Sequence, residues 1–120
     1  MPETIMPPFE SGCPTLTEGH DACLEDALAR LQRFMTWRDG LGARSFSDGL
    51  AHDRVEENLV AFIAAHAAVG ARGCLVKYNA LRMIERRRCT KDFARFSGVV
   101  EPLDFSLRFT LGQLAAGEPR

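Results

Sequence analysis

"LDFSLRFTL", residues 103–111, is the stretch on which the fold turns. It alternates apolar and polar residues without a fault, the period of a half-buried strand. A strand here would need a partner, and "SGVVE", 97–101, is the only one nearby. The flanks argue for helix. Pro102 suits a first helical position, and Gly117 followed by Pro119 suits a helix stop. In a helix Leu103, Leu107, Leu111 and Leu114 make one stripe, and Phe105 and Phe109 fall opposite it. Helix is the reading adopted, because the rest of the chain reads as helical. The fold expected is mainly α, a compact bundle of four to five helices, with a short C-terminal β element over 94–111 as the alternative.

Working back from the tail, residues 73–88 read as a helix that is apolar nearly all round in its first three turns and ends on "ERRR". Thr90 then caps a short helix over 91–96, closed by Gly98. Residues 53–69 read as the central helix, with Val55, Leu59, Phe62, Ile63, His66 and Val69 as its stripe and alanines on other faces. Asp53 and Glu56 resemble a capping box at its start, and Gly70 ends it. Phe62 and Ile63 are expected in the core. Ser47 opens a short helical turn before it. Residues 21–38 carry Leu24, Ala27, Leu28, Leu31, Phe34 and Met35 on one face, with Asp21 as cap and Gly40 and Gly42 as the stop. Residues 1–20, with prolines at 2, 7, 8 and 14, read as an irregular or mobile arm ahead of one helical domain over 21–120.

Charge is divided between the halves. Residues 1–60 hold five Arg against eleven acids, and residues 61–120 hold ten Lys/Arg against five acids. Six of those cations, Arg82, Arg86, Arg87, Arg88, Lys91 and Arg95, lie within residues 82–96. Such a cluster suits an acidic protein surface or phosphate. Cations at a helix C-terminus also complement its dipole, which gives part of the cluster a structural reason. Arg86, Arg87 and Arg88 are consecutive, so they point about 100° apart and do not share one groove-facing side.

Catalytic patterns are not assembled. The histidines are 20, 52 and 66, with no His-Glu-x-x-His pair. Cys13, His20 and Cys23 do not have zinc spacing, and Cys74 and Cys89 stand too far apart on one helix to share an ion, so no metal is expected. "GLGARS" at 40–45 lacks the third glycine of a dinucleotide loop, and "GARG" at 70–73 lacks the end of a P-loop. No cofactor is expected, and an enzyme is not the favoured reading. The longest apolar run, "LVAFIAAHAAVGA", is too short to span a bilayer, so no membrane partner is expected and the chain reads as cytoplasmic with reduced thiols.

The function expected is that of a small non-enzymatic regulatory or adaptor protein that binds a partner protein or itself, most simply as a homo-oligomer. Its apolar interface candidates are Phe105, Leu107, Phe109 and Leu111, and the basic residues 82–95 would contact the partner. The alternative is a nucleic-acid-binding regulator. Three helices followed by a hairpin over 94–111 is the order of a winged helix-turn-helix, with the same cations on phosphate. A third reading is a helical pocket for a small ligand, with His66, Tyr78 or Trp37 as polar contacts; the alternative for His66 and Tyr78 is a place as polar groups of the core, and a satisfied core histidine is the commoner case.

Overall fold

The computed structural model describes residues 4–14, 20–43, 45–86 and 96–117. They contain four helices, α1 (His20–Asp39), α2 (Phe46–Ala65), α3 (Ala71–Arg86) and α4 (Ser97–Gly117), and no strand. α2 and α3 each pack against the other three helices, whereas α1 and α4 do not meet among the described residues. The middle pair is thus covered by α1 on one side and α4 on the other. Leu24, Leu31, Leu59, Ile63, Ala80, Ile84 and Leu103 are all buried where these layers join.

Residues 97–117 are one continuous helix, so the β element expected over 94–111 is not formed among its described residues. Alternation lost to length: a strand over 103–111 would leave Leu103 and Leu107 on the same side as Phe105 and Phe109. The helix instead buries Leu103, Leu107 and Thr110 on the α2/α3 layer and turns both phenylalanines outward. Pro102 is not the first helical residue but lies inside α4. The bond it cannot donate would have gone to the carbonyl of Gly98, the second residue of α4. The short helix expected over 91–96 and its Thr90 cap fall outside the described residues.

α2 begins seven residues before the expected start and ends four before the expected end. Its cap is Ser45, whose hydroxyl accepts the Asp48 N–H at 3.1 Å. Asp53 and Glu56 therefore lie mid-helix and do not form a capping box. Both face α1, where Arg38 pairs with Asp53 at 2.7 Å and with the wholly buried Glu56 at 3.0 Å. Removing one partner of such a buried pair costs far more than an exposed pair is worth. With α2 ending at Ala65, Val69 is exposed and Phe62 only half-buried, while Ile63 is in the core as expected. Gly70 does not end the helix and has no positive φ.

The connection between α2 and α3 is held from three other directions. Asp21, expected to cap its own helix, instead accepts the N–H groups of Val69, Gly70 and Gly73 at 2.8, 2.8 and 3.1 Å. These are donors that the start of α3 cannot satisfy internally. Burial pushes the Asp21 carboxyl up, but the three N–H groups and Arg72 outweigh it, so the net displacement is downward. Thr110 of α4 donates its hydroxyl to the Ala68 carbonyl at 3.2 Å. From α3, the Lys77 ammonium donates to the Ile63 carbonyl at 2.6 Å.

Residues 4–14 form neither helix nor strand and lie against α1 and α2. Arg30 donates to the Gly12 carbonyl and pairs with Glu10, Arg33 sits over the Phe9 ring, and Cys13 contacts the Asn58 carbonyl. His52 donates through Nε2 to the Ile5 carbonyl at 2.6 Å, with its ring enclosed by Phe34 and Trp37.

Candidate docking face on α3 and α4

α4 has more apolar surface than the bundle can cover. Residues two apart on a helix point about 200° apart. A side that buries Leu103 and Leu107 must therefore turn Phe105 and Phe109 away. Phe105 is 69% and Phe109 56% exposed, and the two rings stack on each other at 6.2 Å between centroids. Isolated exposed apolar residues are ordinary on protein surfaces, whereas here two large rings lie together on one helix face.

Next to this face runs the groove between α3 and α4. Tyr78, Arg82 and Glu85 line it from α3, and Asp104, Arg108 and Leu111 from α4, around about 350 Å³ of open space. Arg82 donates to the Tyr78 hydroxyl at 3.1 Å and lies over its ring. Arg108 pairs with Asp104 at 3.0 Å. Tyr78 and Leu111 are both exposed here, so the apolar surface extends from α4 onto α3, where Leu75, one turn before Tyr78, is also exposed. Exposed pairs of this kind add little stability, but they order the rim of an apolar patch.

The interface candidates are thus divided. Phe105, Phe109 and Leu111 are on the surface, but Leu107 is buried and belongs to the core. Of the six basic residues, Arg82 and Arg86 are exposed on α3, and Arg87, Arg88, Lys91 and Arg95 lie outside the described residues. Residues 97–111, which would form most of a wing hairpin, belong to α4 instead. His66 is not part of a ligand pocket with Tyr78. It is the C-cap of α2, where both its backbone N–H and its Nδ1 proton go to the Phe62 carbonyl, at 3.2 and 2.8 Å. Trp37 is half-buried against His52 and Phe34.

Reading the sequence missed Lys77 altogether. Its position between Val76 and Tyr78 resembles an exposed break in an apolar run, yet the residue is wholly buried. Its ammonium takes carbonyls at the C-terminus of α2, which carries no basic residue in its own last turn. Burial pushes the Lys77 pKa down to about 8, with nearby Cys74 acting in the opposite sense. Cys74 is raised, first by burial and then by Asp21, with Lys77 pulling it back. This group has a complete structural task, since it neutralises a helix end that would otherwise be buried with unsatisfied carbonyls. Among the described residues no set of three or more His, Cys, Asp and Glu side chains is gathered to hold a metal ion. No helix among them is long and apolar enough to cross a membrane.

No protein-family model, curated protein or solved structure matches this chain.

Proposed function

We propose that this protein is a small non-enzymatic regulatory or adaptor protein that works by docking protein on the outward face of α4. The observation that carries this reading is the exposure of Phe105 and Phe109 on a helix whose opposite side already fills the core. Burying a large apolar side chain contributes about 1.5–3 kcal/mol, so the two rings together can supply the centre of an interface. Leu75, Tyr78 and Leu111 extend the apolar area, and the Arg82, Glu85, Asp104 and Arg108 side chains make a polar rim. Site-specific photo-crosslinking in cells tests it. A benzophenone amino acid at position 105 or 109 should give one discrete protein adduct, and the same group at the exposed Ala29 on α1 should not. Identical background from all three positions would overturn the reading.

A further inference from the structure

The outward residues of α4 follow a coiled-coil spacing. Gly98, Pro102, Phe105, Phe109, Gly112 and Ala116 are separated alternately by four and three residues, and all six are exposed. This is the seam by which one helix packs on another. Two large rings lie in the middle of it, with small residues at either end. Neither glycine is needed by the chain's own packing, since a Cβ at Gly98 or at Gly112 would meet nothing within 4 Å. The seam is therefore open at its ends and filled at its centre, a shape that suits a second helix with the same seam running the opposite way.

Resting on the docking reading above, we propose that the occupant of this face is α4 of a second copy, packed antiparallel about a twofold axis that crosses between residues 103 and 104. This register lays Phe109 over Gly98 of the partner, and Phe105 over its Pro102. Charge selects it. Glu101 and Arg108 are both exposed and flank the seam on one edge, seven residues apart. In the proposed register Glu101 lies about 3 Å along the axis from Arg108 of the partner, and symmetry makes the pair twice. Moving the partner one step along the seam puts Phe105 on Phe109 and brings the two Arg108 side chains together, which is repulsive. One step further carries Glu101 past residue 117 of the partner, so that no cation of the described α4 meets it. A parallel pair would stack ring on ring at the centre and set glycine against glycine at the ends, leaving gaps there. Size disfavours ring on ring, charge selects among the registers that avoid it, and an isologous twofold pair is the commonest form of self-association.

Sedimentation equilibrium on the full chain tests the register. The expected result is a dimer that Phe105→Ser with Phe109→Ser turns into a monomer without loss of helix by circular dichroism. Glu101→Arg alone and Arg108→Glu alone should each weaken the dimer about tenfold or more, because each replaces two attractive pairs by two repulsive ones. Mixing those two variants in equal amounts should restore association, since every crossed pair is again opposite in sign. The double variant Glu101→Arg with Arg108→Glu should be restored in the same way. A wild type that stays monomeric at millimolar concentration overturns the second copy as occupant, while adducts from positions 105 and 109 to another protein would leave the docking reading standing. A dimer lost with the phenylalanines but indifferent to the charge changes overturns the register. A dimer unaffected by the phenylalanine changes overturns both the inference and the docking reading.

Discussion

Lys77 carries an ammonium group into the interior and sets it against the last carbonyls of α2. The arrangement has a pH signature. The side chain is pushed down to about 8 in the folded protein from an ordinary value of 10.5. Between those values the unfolded chain binds more protons than the folded one, so this residue makes stability rise with pH. Below pH 8 both states are charged and the penalty of burying the charge is present in full. Cys74 acts in the opposite sense above its ordinary value of 9.0, because its thiol is pushed up on folding. The rise due to Lys77 is therefore clearest between pH 8 and 9. Urea unfolding of the wild type and of Lys77→Met across that range should show the rise only in the wild type. Parallel slopes in the two proteins would remove Lys77 as its source.

Among the elements, α3 and α4 each contain a glycine, and the two should respond in opposite ways. Gly73 sits at the start of α3 under the Asp21 carboxylate, where a Cβ would lie 2.5 Å from Oδ1 and 2.7 Å from the Ala68 Cβ. Alanine there must displace the carboxylate that satisfies three N–H groups, so Gly73→Ala is expected to destabilise the protein by about 1–3 kcal/mol despite the better helix propensity. Gly112 lies on the open side of α4 with nothing within 4 Å. Gly112→Ala is expected to stabilise the folded chain by about 0.5–1 kcal/mol. Thermal melts of both variants at one protein concentration check the pair. Equal shifts for the two would show that Asp21 does not hold the α2–α3 connection closed.

At the scale of the whole molecule, the charge division between the halves has a visible local use. Acidic groups of α1 reach across to the start of α3, through Asp21 on the helix N–H groups and Glu25 on Arg72. Arg82 remains exposed on α3 beside the apolar groove, whereas the exposed Arg86 lies on the side of α3 nearer α1, beside Gln32, Met35 and Asp39. A protein-docking role predicts that Arg82 rims an interface and that the basic residues of 82–95 bind nucleic acid only weakly and without sequence preference. The check is duplex DNA binding followed against salt for the wild type and for Arg86/Arg87/Arg88→Ala. The expected result is weak binding at physiological salt and a log–log slope changed by less than about two units in the triple variant. Tight binding with a larger loss of slope would assign the cluster to phosphate and restore the nucleic-acid reading.

The sequence by itself determined the helical class and which faces turn inward, though not where α2 and α4 begin, because amphipathic spacing is a local property and survives any arrangement of neighbours. Leu24 to Met35 on α1, Ile63 on α2 and Leu103 on α4 all turn the side that their spacing indicates toward the core. The two phenylalanines of the tail could also be placed opposite its leucines from spacing alone. Tertiary structure decided what the polar residues do. Asp21, Asp53 and Glu56 all resemble helix-cap residues in the chain, and each is committed instead to a group on another helix, Asp21 to the Gly73 N–H of α3 as well as to the connection before it. Capping patterns are short and frequent, so a carboxylate near a helix start is easily taken for a local cap when its partner lies forty-eight residues away. Lys77 shows the same limit, because a cation between apolar neighbours is read as exposed until a second helix brings its carbonyls within reach. Whether Phe105 and Phe109 or the leucines would face solvent was likewise settled only by packing, since one layer of α2 and α3 can cover one side of α4 and not both.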